Sequence, residues 1–335
     1  MKVAHLTIIA PHRTGLYGTA RDLVAAERAL GADARLVHPL KPKKGMVHGV
    51  PVDGHQWAAS ADAWVNHSGF DGSLDPGSRP VIHILHGRPY SSYLLGLAGK
   101  GVIYDYIQNK ACDPHFKAFV TLWPDFLPYW RHLIPNGKLT ALNAPVDLKE
   151  WSPDGPAGYA FHGKKAPINV VIADRWREDM NPHAAIHAFG VYARTRPEAR
   201  LHIYAAPIKK KGFNSILRPL AARGNLGEVM GIVKGLAHVF RAADAVITPH
   251  RIATRIVREA LACGTQVVMA DGNPYTPYTA DPFDIERFAE QIDRAVTDWQ
   301  ENRDGRKQEN RTAAETHFDS AATARDMLRI IEDHA

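Results

Sequence analysis

The stretch Thr248-Pro249-His250-Arg251-Ile252-Ala253-Thr254-Arg255-Ile256-Val257-Arg258-Glu259-Ala260-Leu261-Ala262-Cys263-Gly264 changes character twice. Residues 245–248 read as a short apolar strand that runs into it. From 254 to 263 the apolar positions recur at helical spacing, and Gly264 stands where a left-handed helix end is expected. Residues 266–270 are apolar again and read as the next strand. A strand–loop–helix–strand unit of this kind belongs to a parallel α/β sheet. A helix that opens directly after a strand presents free N–H groups and the positive end of its dipole, which suits a phosphate. Arg251 and Arg255 lie at or before the first turn, where a guanidinium adds paired donors to a diphosphate. Glu259 follows Arg255 by four residues and so shares its helix face. The same spacing describes a surface ion pair worth about 1 kcal/mol or less, and these residues alone leave both readings open.

The alternation extends outward from this unit. Upstream, 168–172 reads as a strand, 182–193 as a helix and 201–205 as a strand. Downstream, 283–299 and 313–331 read as helices, with the charged stretch 301–311 expected to be exposed between them. The first half repeats the pattern. Strands are expected at 3–10, 34–37, 63–66, 81–85, 118–122 and 139–142, and a helix over 19–30, where Leu23, Val24, Ala26 and Leu30 recur at helical spacing. The Pro-, Gly- and Lys-containing stretch 40–55 is expected to be a loop. Between 143 and 165, Pro145, Pro153, Gly155, Pro156, Gly158 and Gly163 mark a linker. The expected organisation is an acceptor-side Rossmann-like domain over 1–150, a donor domain over 151–300, and a helical segment over 301–335 that packs back on the first domain.

Composition sets outer bounds. A chain of 335 residues, 45% of them hydrophobic, is long enough for two cores. It contains no run of about 18 apolar residues that would span a membrane. Two cysteines, Cys112 and Cys263, form neither a disulfide framework nor a metal-binding spacing; both are expected to be buried thiols in a reducing cytoplasm. The formal charge of +6 suits anionic ligands, and equally suits a merely basic enzyme.

The order of several motifs resembles a known family. Arg-Glu-Ala-Leu-Ala-Cys-Gly-Thr (258–265) after a strand–Pro–loop resembles the donor-binding segment of retaining glycosyltransferases of family GT4, which have the GT-B fold. Glu259 matches the second of that family's two glutamates, the one that binds the donor ribose. The first falls on Arg251, and the family's Gly-Phe-Gly falls on Ile252-Ala253-Thr254. Arg175, in Asp174-Arg175-Trp176-Arg177-Glu178-Asp179-Met180-Asn181-Pro182, matches the arginine that grips the diphosphate. Met180 replaces the family lysine, and Arg177 is its stand-in. Gly15 and Gly18 fall in a strand-to-helix loop over 11–23 that resembles the one closing over the donor phosphates. His86, at the end of Val81-Ile82-His83-Ile84-Leu85-His86, matches a histidine near the reacting sugar. Ala144-Pro145-Val146-Asp147-Leu148 resembles the family's inter-domain junction.

The resemblance implies an α/β protein of the GT-B type, with two Rossmann-like domains facing across a cleft. It implies a nucleoside-diphosphate sugar donor, UDP-linked, bound by Gly15, Gly18, Arg175, Arg177, Arg251, Thr254, Arg255 and Glu259. His86, Arg175 and Arg255 would carry the chemistry, with retention and no obligatory metal or other cofactor; no Asp-x-Asp motif is present. His86-Gly87-Arg88-Pro89, Leu122-Trp123-Pro124-Asp125 and Gly15-Leu16-Tyr17 are similar to short glycosyltransferases of phage, which places the chain in a host cytoplasm. This points to a hydroxymethylated base in duplex DNA as acceptor, flipped out of the stack. Tyr17, His67, Arg88 and Trp123 would be on the acceptor side, with Tyr17, Trp123 and Tyr129 as stacking faces. Two alternatives stay open. One is a transferase of surface polysaccharide or lipid, for which the amphipathic stretch 213–223 would be a membrane contact. The other is an epimerase or an inactive sugar-nucleotide binder.

Overall fold

The computed structural model describes residues 1–9, 15–41, 44–67, 74–86, 103–135, 137–155, 159–161, 167–174, 182–207 and 212–334. The chain divides into two units: Met1–Asp147 joined by Phe318–Ala335, and Leu148–His317.

The first unit is built on β1 (Lys2–Leu6), β2 (Asp33–Val37), β3 (Gly45–Val47), β4 (Val50–Asp53), β5 (Ala63–Asn66), β6 (Val81–Leu85), β7 (Phe116–Thr121) and β8 (Leu139–Ala141). Its sheet order is β3-β4-β2-β1-β5-β6-β7-β8. All neighbours pair in parallel except β3 with β4. Helix α1 (Gly15–Ala29) returns the chain from β1 to β2, and α2 (His55–Ala58) precedes β5. Helix α3 (Ile103–Cys112) leads into β7, and α4 (Leu127–Trp130) follows it. Tyr17, Leu23 and Val24 on α1 pack into one core with Val3, Leu36, Val65 and Ile84. The Ala-Leu-Val stripe that predicts this helix is thus the face that covers the sheet.

The second unit carries β9 (Ile168–Ile172), β10 (Ala199–Ile203), β11 (Leu226–Val229), β12 (Ala245–Ile247), β13 (Val267–Ala270) and β14 (Thr279–Ala280). The sheet order is β11-β10-β9-β12-β13-β14, parallel throughout. Its helices are α5 (Pro182–Thr195), α6 (Phe213–Ala222), α7 (Leu236–Ala242), α8 (Arg255–Ala262), α9 (Ile285–Glu301) and α10 (Arg303–Phe318). The last helix, α11 (Ser320–Glu332), belongs to the first unit, where Met327 and Ile331 join the core beside α1. The expected α/β architecture of two Rossmann-like sheets is the observed one.

Several local expectations need correction. The supposed loop over 40–55 holds the hairpin β3–β4. His48 and Gly49 both take positive φ at its turn, 49° and 82°, the conformation a tight hairpin needs; a three-residue strand is too short to show a period. Stretch 301–311 is largely exposed, as expected, but from Arg303 onward it is helical. Asn310 there is buried against Gln266, and the Arg311 guanidinium holds the carbonyls of Leu148, Trp151 and Ala262. Helix α6 is no membrane face, because Phe213, Leu217 and Leu220 are spent on the core of its own unit. No helix among the described residues is long and apolar enough to cross a membrane. Cys263 is buried as expected, whereas Cys112 is exposed.

Candidate functional site

In the second unit the polar groups gather where β9 and β12 end side by side. β9 passes through Ala173 to Asp174, and β12 passes to Thr248. Asp174 is buried, and its two carboxylate oxygens are both engaged. Thr248 Oγ1 donates to Oδ2 at 2.5 Å and Thr254 Oγ1 donates to Oδ1 at 3.1 Å. His250 Nε2 lies 3.7 Å from the same carboxylate. Thr254 is the N-cap of α8, and with its hydroxyl committed to Asp174 it makes no side-chain capping bond to the helix. One carboxylate therefore ties the ends of both strands to the start of the helix.

Helix α8 then presents Arg255 and Glu259 on one face. Arg255 Nε sits 2.5 Å from Glu259 Oε1, with the side chains only 11% and 5% exposed. The i,i+4 pair exists, but it is buried rather than a surface pair. Removing one partner of a buried pair leaves the other charge uncompensated. The helix ends as its sequence predicts. Gly264 takes φ 78°, its N–H bonds the Leu261 carbonyl, and the Thr265 N–H bonds the Ala260 carbonyl. This is the double closure that favours glycine. Cys263, at that end, is pushed up to about 12, chiefly by burial. Arg251 is exposed, and its Nε donates to the Gly272 carbonyl at 3.3 Å. Arg175 and Arg177 lie outside the described residues, as does Arg88.

The first unit holds a second polar cluster, at the end of β5 and β6. His67 is buried; its Nδ1 lies 2.9 Å from His86 Nε2 and its Nε2 lies 3.0 Å from His5 Nδ1. His5 Nε2 in turn lies 2.7 Å from Glu27 Oε2. Burial, then the neighbouring rings of His86, His5 and His83, hold the His67 imidazole well below its ordinary range. His83 contacts the other side, with Asn66 at 3.0 Å and the ring of Tyr106 of α3 beside it. This matches the opposite faces expected for positions 83 and 86.

Other sequence-predicted residues are placed differently from expectation. Gly15 and Gly18 are not in a loop: they are the first and fourth residues of α1. A Cβ at Gly15 would still meet open space. Tyr17 is wholly buried, with its hydroxyl 3.0 Å from His48 Nδ1, so it offers no face for stacking. Trp123 is half-buried against the core, and Tyr129 is exposed. Asp174, His5 and Glu27 were not singled out from sequence, although the last two carried a signal. His5 interrupts a continuous apolar strand, and Glu27 falls on the stripe of Ala20, Leu23 and Val24. A polar cavity of about 310 Å³, lined by Ser152, Asp304, Lys307 and Arg311, contains none of these residues. Among the described residues no three His, Cys, Asp or Glu side chains are placed to hold a metal.

Comparison with known proteins bears on the fold. HepE from Anabaena, solved with UDP and glucose, superposes with a TM-score of 0.71 at 12% identity, over 99% of both chains. Sucrose-phosphate synthase from Thermosynechococcus elongatus does so at 0.73 and 14%, over 99% of this chain and 98% of that one. WaaG, a glycosyltransferase involved in lipopolysaccharide biosynthesis, gives 0.67 and 16%, over 98% and 99%. The fold is GT-B. No family model and no curated protein matches the sequence. At these identities the GT-B likeness speaks for the path of the chain, and the chemistry has to be argued from the residues.

Proposed function

We propose that the protein is a glycosyltransferase that takes its sugar from a nucleoside-diphosphate donor held at the start of α8. One observation carries this reading. The polar cluster of the second unit lies at the carboxyl ends of β9 and β12, the neighbouring strands at which the strand order reverses. Ligands of open parallel sheets bind at such a reversal. The Thr254 hydroxyl is turned to Asp174, so the first turn of α8 offers its N–H groups and dipole to a diphosphate. Arg255, oriented by Glu259, adds charge where the leaving group develops it, and in sequence Arg175 follows Asp174 directly, with Arg177 after Trp176. The three GT-B proteins above support the reading, HepE by its UDP and glucose and WaaG by its description. A UDP-linked donor and retention are the finer points that the sequence resemblance adds.

Calorimetric titration with UDP and UDP-glucose tests the donor site. Arg175→Ala and Glu259→Gln should each weaken binding at least tenfold, about 1.4 kcal/mol, with circular dichroism unchanged. Unchanged affinity in both would remove the site from α8. The acceptor is a hydroxyl, and the one to try first is a hydroxymethylated base in DNA, although Tyr17 no longer supports it as a stacking face. Nucleoside mass analysis after incubation with nucleotide-sugars and hydroxymethylcytosine DNA decides this. An added hexose or pentose mass confirms DNA as acceptor, and no added mass moves the search to glycans and lipids.

A further inference from the structure

The outer edge of the first sheet carries side chains that its core does not use. β3 is the last strand on that side and pairs with β4. Met46 stands opposite Pro51 in this pair, and Val47 opposite Val50. Successive residues of a strand point to opposite faces. Val47 packs against the core shared with α1, so Met46 points the other way, and it is 67% exposed. Lys44, two residues before it at the head of the strand, is exposed as well.

The chain that leads into β3 is fastened to the same place. His38 Nδ1 accepts from the N–H groups of Leu40 and Lys41, at 3.2 and 3.1 Å, and the His38 carbonyl lies 3.0 Å from His55 Nε2. Lys44 runs past Gly54, where a Cβ would stand 3.6 Å from its Cε. Two consecutive residues, 54 and 55, thus hold both ends of this approach to the edge. Leu40 is 57% exposed there, and Lys41 is exposed beside it. The charge has one sign. Between Asp33 and Asp53 the sequence contains no Asp or Glu. Arg28 and Arg35 pair with Asp33, and Arg35 also with Asp53, so those two carboxylates are already matched by two guanidinium groups. Lys41 and Lys44 remain as the excess.

Lysines on an edge strand have a protective use, because they keep the open edge from pairing with another chain. Exposed aliphatic side chains work against that use, and here Leu40 and Met46 flank the lysines. We propose that this edge docks on an anionic lipid surface. Leu40 and Met46 would enter the boundary between headgroups and acyl chains, and Lys41 and Lys44 would meet the lipid phosphates. The pairing of chemistries selects the partner. A nucleic acid satisfies the lysines but leaves both aliphatic tips in water. The centre of a protein interface favours aromatic and arginine anchors and is poor in lysine. A bilayer with anionic headgroups takes both kinds of side chain at once. With two lysines the attachment is weak and reversible, and it grows with the anionic content of the membrane. It holds whatever the α8 site binds.

Co-sedimentation of the full chain with sucrose-loaded vesicles tests this. One set is phosphatidylcholine alone, and the other contains about a third phosphatidylglycerol. The protein should pellet with the anionic set and stay in solution with the neutral one, and raising the salt from about 0.15 M to about 0.5 M should weaken the binding. A lysine near an anionic leaflet is worth about fivefold in partitioning, so Lys41→Gln/Lys44→Gln should lower the partition coefficient about 25-fold. Leu40→Asn/Met46→Asn leaves the charge unchanged and should lower it at least about tenfold. All four side chains are exposed, so circular dichroism should be unaltered. Lys117→Gln/Lys234→Gln removes two exposed charges away from the edge and should cost less than about twofold. Three results would overturn the proposal. The first is no binding to the anionic vesicles. The second is an equal loss in the Lys117/Lys234 control. The third is vesicle binding that Leu40→Asn/Met46→Asn leaves intact. Gel retardation of a duplex DNA fragment that only the Lys41/Lys44 variant loses, without vesicle binding, would assign the lysines to nucleic acid instead. Self-association of that variant, with no vesicle binding by the wild type, would leave them their protective use.

Discussion

Replacing His202 with glutamine should flatten the acid sensitivity of the second unit. His202 lies on β10 with its Nδ1 accepting from the Glu228 N–H at 3.1 Å and its Nε2 against Asn169 Oδ1 at 3.1 Å. The ring of Phe161 lies 4.0 Å away, and Gly227 is so close that a Cβ there would lie 2.5 Å from the imidazole. This packing leaves no room for water around a cation, and burial lowers the imidazole from 6.5 to about 4. The direction of the linkage follows. Above pH 6.5 folded and unfolded chains both hold a neutral ring. Between 6.5 and 4 the unfolded chain binds a proton that the folded one refuses, so stability falls as pH falls. From pH 7 to pH 5 the loss is about 2 kcal/mol from this one residue, at about 1.4 kcal/mol per pKa unit. Urea unfolding of wild type and His202→Gln at each pH, followed through the buried Trp151 and Trp299 of the same unit, isolates it, because other titrating groups cancel in the difference. The variant should be less stable at pH 7, by about 1–3 kcal/mol for the lost hydrogen-bond geometry. By pH 5 that gap should shrink by about 2 kcal/mol. A gap that stays constant between the two pH values would refute the reasoning.

Four further outcomes are expected. Glu259→Ala should destabilise the second unit by about 3–5 kcal/mol by stranding Arg255, and the double variant Arg255→Met/Glu259→Leu should recover most of that in urea unfolding. Asp174→Asn cannot accept from both Thr248 and Thr254, so it should lower stability by about 1–2 kcal/mol; an unchanged urea midpoint would contradict the shared-carboxylate account. Gly264→Ala forces a side chain into φ 78°, with its Cβ 2.6 Å from Lys307 Cγ, and should cost about 1–2 kcal/mol, read as a lower melting temperature. Iodoacetamide should modify Cys112 in the native protein and reach Cys263 only on unfolding, since Cys263 is buried and its thiol is pushed up to about 12; peptide mass mapping checks this.

What the sequence discloses is what period and punctuation can encode. The apolar runs at 63–66, 81–85 and 168–172 coincide with β5, β6 and β9, because strands buried on both faces are apolar at all but one position each, Asn66, His83 and Asn169. The Gly264 helix end was legible from one residue, since only a positive φ gives glycine its advantage. The hairpin β3–β4 and the helical start at Gly15 were not, because short or Gly-containing segments are decided by tertiary pairing rather than propensity. At the site, Arg255 and Glu259 were visible as a spacing, but their burial was not; a four-residue interval on a helix says which side chains meet and nothing about what covers them. Asp174 and the file from Glu27 to His86 are contacts between elements far apart in sequence, up to 80 residues in the case of Asp174 and Thr254. No local pattern encodes such a pairing. The trace it leaves is a polar residue where an apolar one is due.

The position of those polar residues has a common cause in the two sheets. In the first, the chain moves from β1 to β2 on one side and returns to β5 on the other; in the second it moves from β9 to β10 and returns to β12. The connections leave each reversal in opposite directions, which in open parallel sheets makes a crevice at the carboxyl ends of the two strands between them. A polar side chain at such a place is cut off from water laterally by neighbouring strands yet stays beside the open end of the sheet. His5 and His67 flank the first reversal, on β1 and after β5, and Asp174 and Thr248 flank the second, after β9 and β12. Buried polar groups are costly unless paired, and here each is paired with another polar side chain from across the reversal. The same topology therefore gathers polar groups at the place where ligands of open parallel sheets bind. In the second unit they fix a helix N-terminus, which suits binding an anion. In the first they join Glu27, His5, His67 and His86 through three contacts of 2.7, 3.0 and 2.9 Å.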